Sequence, residues 1–105
     1  MNVAIISGSF DPITNGHMHI VKQASETFNS VIVIIATNPN KKYEFSIEQR
    51  KQMVFDAINE YQLSNVAIEI LDESELTVEF AESHHANILV RGIRNSSDLE
   101  YEQDL

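Results

Sequence analysis

One hydroxyl, one imidazole and four of the chain's seven basic side chains stand where their types and spacing could do chemistry. Ser9 and His17 fall within "SGSFDPITNGHMH", residues 7–19, where an apolar run gives way to two glycines, a proline and an Asp. The basic residues come as two clusters, Lys41-Lys42 and Arg91 with Arg94, in a chain whose formal net charge is −9. No common nucleotide-loop fingerprint fits the first stretch. It has no G-x-G-x-x-G, and Gly16 precedes His17 rather than the Lys-Ser/Thr of a P-loop. Gly8 nevertheless lets backbone come close to an anion. A helix starting near Asn15 to His17 would add amide donors and the positive end of its dipole. Scarce cations beside such a turn suit a small phosphate-bearing ligand.

Taken singly, each of these residues has a plainer reading. His17 shares a helical face with Ile20 and Val21 and could pack beneath the first turn. Paired lysines after Asn38-Pro39-Asn40 suit a solvated turn, and Arg91 and Arg94 suit ion pairs with Asp98, Glu100 or Glu102. Ser46 and Ser97 read as helix caps. His84-His85 reads as surface at a helix end, because no carboxylate or cysteine stands at a ligand spacing; no metal site is expected. His19 reads as surface, and Lys22, Arg50 and Lys51 are expected on exposed helix faces. Only joint placement would favour a phosphate site.

The elements that must position these residues follow from periodicity. "VAIIS", Val3 to Ser7, reads as a strand buried on both faces and ends at Gly8. From Asn15 to Phe28, Ile20, Val21, Ala24 and Phe28 recur at helical spacing. "VIVIIA", Val31 to Ala36, is a second strand, broken by Asn38-Pro39-Asn40. Ser46 and Gln49 form a capping-box pattern that opens a helix carrying Ile47, Val54, Phe55 and Ile58. "VAIEIL", Val66 to Leu71, is a third strand, a short helix follows from about Glu75 to His84, and "NILV", Asn87 to Val90, is a fourth strand. Ser97 and Glu100 repeat the capping-box pattern, so a last helix is expected there, reaching Leu105 without a C-cap. On that pattern the chain reads as C-terminally truncated.

Alternating strands and amphipathic helices predict an α/β fold: a Rossmann-like doubly wound parallel sheet of about four strands, with helices on both faces. In such sheets ligands bind beyond the carboxyl ends of the strands, where strand order reverses. The loops at that edge hold Gly8 to Pro12, Lys41-Lys42 and Arg91 to Arg94. The turn and both basic clusters therefore converge.

Bulk properties exclude several classes. At 105 residues the chain is about one domain, and 43% apolar with 22% charged residues is ordinary for a globular protein. The acidic balance argues against a nucleic-acid polymer as partner. No apolar run approaches the roughly 18 residues of a membrane span. No basic region precedes the first apolar stretch, as a signal peptide would require. The absence of cysteine removes disulfides and thiolate chemistry. A cytoplasmic enzyme or binding domain is the expectation.

Three stretches carry a resemblance. "GSFDPITNGH", with Thr14-Asn15-Gly16-His17 in the place of an (H/T)xGH motif, resembles the nucleotidyltransferase superfamily. "NPNKKYEFSIEQR" and "RGIRNSSDLEYE" narrow the likeness to the bacterial phosphopantetheine adenylyltransferases. It runs in register from Ile5 to Leu105, which implies one nucleotidyltransferase domain over residues 1–105. The family joins the adenylyl group of ATP, accompanied by magnesium, to 4′-phosphopantetheine, giving dephospho-coenzyme A and pyrophosphate.

By position, the resemblance implies that Ser9 and Phe10 contact ATP and that Ser9 also reaches the acceptor phosphate. His17 would hold the ATP phosphates through the transition state, and Lys41 would bridge the phosphates of both substrates. Arg91 would bind the acceptor phosphate. Gly92, Ile93, Arg94 and Glu102 would line the ATP site, and Thr77 would contact the pantetheine arm. Ser9 stands where many members have Thr, and keeps the hydroxyl. The family's chains continue past this end with a Ser/Thr-rich segment that helps hold the triphosphate, assemble as hexamers and lead to coenzyme A, a candidate bound product or inhibitor. Two alternatives stand beside this reading: a related transferase acting on another phosphorylated acceptor, such as glycerol phosphate with CTP, and a non-catalytic module binding nucleotide or coenzyme A.

Overall fold

β1 (Val3–Gly8) and β2 (Ser30–Thr37) are built almost wholly from β-branched and small apolar residues, which suits strands covered on both faces. The computed structural model describes residues 2–72, 88–91 and 100–103. Between these strands runs helix α1 (Asn15–Thr27); α2 (Ile47–Glu60), β3 (Val66–Asp72), β4 (Ile88–Arg91) and β5 (Glu100–Gln103) follow. Both helices start where the sequence places them. Ser46 caps α2 in a reciprocal box with Gln49, and Thr14 caps α1.

The sheet has the order β3-β2-β1-β4-β5. β1 runs parallel to both β2 and β4, in registers that include Ile6 opposite Val33 and Ile6 opposite Val90. β2 and β3 are also parallel. On one face Ala4 and Ile6 of β1 and Val31, Val33 and Ile35 of β2 join Ile20, Val21 and Ala24 of α1 and Val54 and Ile58 of α2 in a single apolar cluster. Each fully buried Ile or Val here contributes about 1.5–3 kcal/mol. Ile5 and Ile34 alternate to the opposite face and are also fully buried.

Both described helices lie over the same face. The steps from β1 to β2 and from β2 to β3 go in one direction, so right-handed crossovers carry α1 and α2 to one side. The step from β3 back past β1 to β4 reverses that direction. The helix expected for it, from Glu75 to His84, lies outside the described residues. Strand order therefore switches beside β1, between the paths leading away from β1 and β4.

Two expectations are corrected. The last segment does not form a helix over Glu100–Gln103; it is β5, paired antiparallel with β4, with Arg91 opposite Glu100 and Ile88 opposite Gln103. Among the described residues the sheet thus has five strands rather than about four, and one of them is antiparallel. A two-turn helix is marginal on its own, whereas the outer edge of β4 offers a row of backbone partners to any extended segment. The second correction concerns the face of α2. Phe55, one of the four apolar residues that the sequence places on this helix, is 50% exposed, while Arg50, expected on an exposed face, is only 1% exposed. Arg50, Val54 and Ile58 are spaced four apart, and that row faces the sheet. Among the described residues no helix is long and apolar enough to cross a membrane.

Candidate phosphate-binding edge

Beyond Gly8 the chain turns sharply. Phe10 takes a positive φ of 47°, unusual for a bulky residue and worth roughly 1–2 kcal/mol of strain. Burial of its ring, which is 3% exposed, offsets that strain. The ring lies beneath Gly8, where an added Cβ would meet the Phe10 ring tip at 3.4 Å. It also makes an edge contact with His17, the centroids 5.2 Å apart at 80°. Ser9 remains exposed at the head of the turn. A strained backbone held by the packing of its ring leaves the neighbouring hydroxyl outside.

The first turn of α1 explains the spacing of Thr14 and His17. The His17 amide donates to Thr14 Oγ1 at 3.2 Å, and the Thr14 amide donates to His17 Nδ1 at 3.0 Å. This is a capping box with imidazole where Glu or Gln usually stands. An amide N–H can only donate, so Nδ1 accepts, and the proton of the neutral ring is on Nε2. His17 is half-buried and so neither a core residue nor a fully solvated one. At Gly16 an added Cβ would come near only Thr14 Oγ1, at 3.6 Å, among the described residues.

The loop after β2 is equally ordered. Asn38 accepts the Asn40 amide on Oδ1 at 2.9 Å and the Lys41 amide on its carbonyl at 3.0 Å, while its own amide donates to Tyr43 Oη at 2.9 Å. Lys41 is exposed on this turn. Asp11 binds the two loops together: its carboxylate accepts the amides of Glu44 at 2.6 Å and Phe45 at 2.8 Å. A hydrogen bond to a charged group contributes about 1.5–3 kcal/mol where it is shielded from water, and much less where, as at the Glu44 amide, it is exposed.

Arg50 is the correction that matters most at this edge. Its Nε donates to the Phe45 carbonyl at 3.2 Å, and Nη1 donates to the carbonyls of Ser9 at 3.1 Å and Ala36 at 3.4 Å. Nη2 donates to Thr37 Oγ1 at 3.3 Å, and the guanidinium lies 4.0 Å from the centroid of the Tyr43 ring. A cation can be buried when it is this thoroughly hydrogen-bonded and stacked.

The structure thus gathers Ser9, Phe10, His17 and the Lys41 loop at the carboxyl ends of β1 and β2. Arg91 ends β4, one residue past the pairing of Ile6 with Val90, so its backbone is level with Ser7. Glu102 sits in β5, opposite Leu89. Thr77, Gly92, Ile93 and Arg94 lie outside the described residues. Among the described residues no group of three His, Cys, Asp or Glu could cage a metal ion. The residues that sequence reasoning passed over are Asp11 and Arg50. Asp11 gave no signal, because its partners are amides 33 and 34 residues away. Arg50 did give one, in its spacing of four from Val54.

The cytidylyltransferase-like family model matches residues 5–105. The phosphopantetheine adenylyltransferase of Lactobacillus acidophilus is 46% identical over 106 residues, a match covering 100% of this chain and 63% of that protein. The same enzyme of Clostridium tetani is 43% identical over 102 residues, covering 97% of this chain and 61% of that protein. The chain therefore spans about three-fifths of the length of the curated relatives it matches. Among solved structures, the nicotinic acid mononucleotide adenylyltransferase of Plasmodium falciparum, complexed with NaAD, superposes with a TM-score of 0.68 at 24% identity. That match covers 88% of this chain and 51% of the other, and shows a shared fold.

Proposed function

The chain belongs to the cytidylyltransferase-like family, and from that premise we propose that it carries the substrate-binding edge of a phosphopantetheine adenylyltransferase. The reading rests on one observation above all. Two loops locked together by Asp11 and Arg50 present Ser9 and His17 on one side and Lys41 on the other, beside the strand-order switch. The 46% identity to a curated enzyme of that activity supports the choice of reaction.

In this reading the phosphate of 4′-phosphopantetheine is the nucleophile. It is already ionised near neutral pH, so no strong base is needed. One of its oxygens forms a bond to the α-phosphorus of ATP, the bond from that phosphorus to the bridging oxygen of the β-phosphate breaks, and pyrophosphate leaves with the electron pair. The protein's task is to hold two anions in line and to meet the charge that builds on the transferring group. Ser9 and Phe10 contact ATP, and the Ser9 hydroxyl also serves the acceptor phosphate. His17 donates through Nε2–H to the ATP phosphates, the tautomer that the Thr14 amide selects. The amides of Asn15 and Gly16, at the start of α1, add donors that no helix satisfies internally.

Lys41 bridges the two phosphates, and Arg91 neutralises the acceptor. Gly92, Ile93, Arg94 and Glu102 line the nucleotide site, and Thr77 meets the pantetheine arm. Magnesium enters as part of the ATP substrate, held by phosphate oxygens and water. The setting is the cytoplasm, and the product leads to coenzyme A.

The test is a matrix of donors and acceptors with the protein in the full length its gene encodes. Dephospho-coenzyme A and pyrophosphate are expected from ATP with 4′-phosphopantetheine alone. Product from CTP with glycerol phosphate, or none from any pair, overturns the assignment.

A further inference from the structure

We infer that Arg50 is a positioning residue for adenylyl transfer: its buried guanidinium sets the spacing between Ser9 and Lys41. The inference rests on the proposal that those two residues receive substrate phosphates.

Arg50 reaches the two sides of the edge by separate routes. On one side Nη1 donates to the Ser9 carbonyl at 3.1 Å, 41 residues away in sequence. That bond fixes the peptide at the point where the chain turns into the strained φ of Phe10, and so fixes the direction in which Ser9 leaves the backbone. On the other side the guanidinium stacks on Tyr43, whose hydroxyl accepts the Asn38 amide at 2.9 Å. Asn38 in turn holds the Lys41 amide at 3.0 Å. Bonds to Ala36, Thr37 and Phe45 anchor the same group to the end of β2 and the entrance to α2. One planar, rigid cation therefore spans from β1 to the Lys41 turn.

Among the described residues none of its partners is a carboxylate: they are three carbonyls, a hydroxyl and a ring. Neutral dipoles hold the group in place without cancelling its charge. Lysine cannot substitute in this role, because a point ammonium cannot match five donors in a planar fork. A helix that needed only an apolar residue in this row would be served by Leu or Met, which carry no such fork. The arginine is explained by the loops it ties, not by the core it sits in.

A merely structural residue and a positioning one are separated by a kinetic cycle with Lys41. R50K is expected to stay folded and to lower kcat/KM by about 100-fold, the scale of a 1 Å misplacement of reacting groups. In a Lys41→Met background, where one of the two positioned groups is already gone, the same change should cost less than about 3-fold. Tyr43→Phe keeps the ring over the guanidinium but removes the hydroxyl. It should lower kcat/KM by about 10-fold, again only when Lys41 is present. This variant carries the test if R50K does not fold.

Equal losses in both Lys41 backgrounds, or unaltered kinetics in the folded variants, overturn the inference. Failure of the unmodified protein to make dephospho-coenzyme A strikes the proposed function itself, and the two failures are read from different samples.

Discussion

His17→Asn separates the cap that the His17 side chain makes from the phosphate donor it is proposed to be. In the structure His17 Nδ1 accepts the Thr14 amide at 3.0 Å, closing the N-terminal turn of α1. The Ser46–Gln49 box of α2 closes that helix the same way, with Gln49 Oε1 accepting at 3.0 Å. The helix needs only an acceptor at this position, and α2 shows that an amide oxygen serves. Asn Oδ1 stands two bonds beyond Cβ, as Nδ1 does, so Asn at 17 keeps the acceptor while nothing replaces Nε2–H. The edge contact with the Phe10 ring is lost, at about 0.5–1.5 kcal/mol. His17→Ala removes the reciprocal cap as well, adding roughly 0.5–1 kcal/mol.

Thermal melts should therefore rank the proteins as unmodified, His17→Asn, His17→Ala. Each kcal/mol is worth about 4–8 °C in a domain of this size. Turnover should not follow that ranking. On the proposed role both variants lose the donor that would meet developing charge, an expected cost of about 10²–10³ in kcat. Steady-state kinetics on samples shown by circular dichroism to be folded makes the comparison. His17→Asn retaining turnover within about 3-fold of the unmodified protein, on a scale where a missing donor costs at least a hundredfold, would refute the reasoning.

Gly16→Ala should leave α1 intact or stabilise it by up to about 1 kcal/mol, because among the described residues the added Cβ meets little. Weaker ATP binding by calorimetry with an unchanged or raised melt is the expected pair of results; unchanged binding removes Gly16 from the site. Asp11→Ala breaks both bonds to the Glu44 and Phe45 amides and should cost about 1–3 kcal/mol in urea unfolding, with a raised KM for the phosphorylated acceptor. A variant as stable as the original sinks the latch. Ile58→Ala should cost about 2–5 kcal/mol, and Phe55→Ser, at a position half exposed, under about 1 kcal/mol. The reverse order would mean that α2 faces the sheet with the wrong stripe.

Much of this was legible in the sequence, for identifiable reasons. Buried parallel strands are runs of β-branched residues, so β1, β2, β3 and β4 read directly from composition. The Ser46–Gln49 spacing announced α2 because a capping box is a local device. The same logic applies to Thr14 and His17, but imidazole is an unusual third partner, and the spacing suggests chemistry or packing before it suggests a cap. Arg50 reads as a solvent-facing residue because a lone charge on a helix is usually exposed. Its row with Val54 and Ile58 was the contrary signal.

Asp11 and Tyr43 belong to another class. Their partners are backbone amides in another loop or across a turn, and backbone has no sequence. A helix is expected where β5 stands because Ser97 and Glu100 match a cap on spacing alone, while pairing with the edge of β4 is a tertiary choice. Of the proposed site, the loops after β1 and β2 could be read at both levels. Thr77, Gly92, Ile93 and Arg94 rest on the motif likeness.

The most direct test follows the α-phosphorus. The protein, in the full length its gene encodes, is given ATP labelled at the α-phosphate together with 4′-phosphopantetheine, beside its His17→Asn counterpart. Label is expected to enter dephospho-coenzyme A while unlabelled pyrophosphate is released in equal amount, at a rate about 10²–10³ lower in the variant. Label that stays in nucleotide, or that enters product equally fast with and without His17, contradicts adenylyl transfer at this edge.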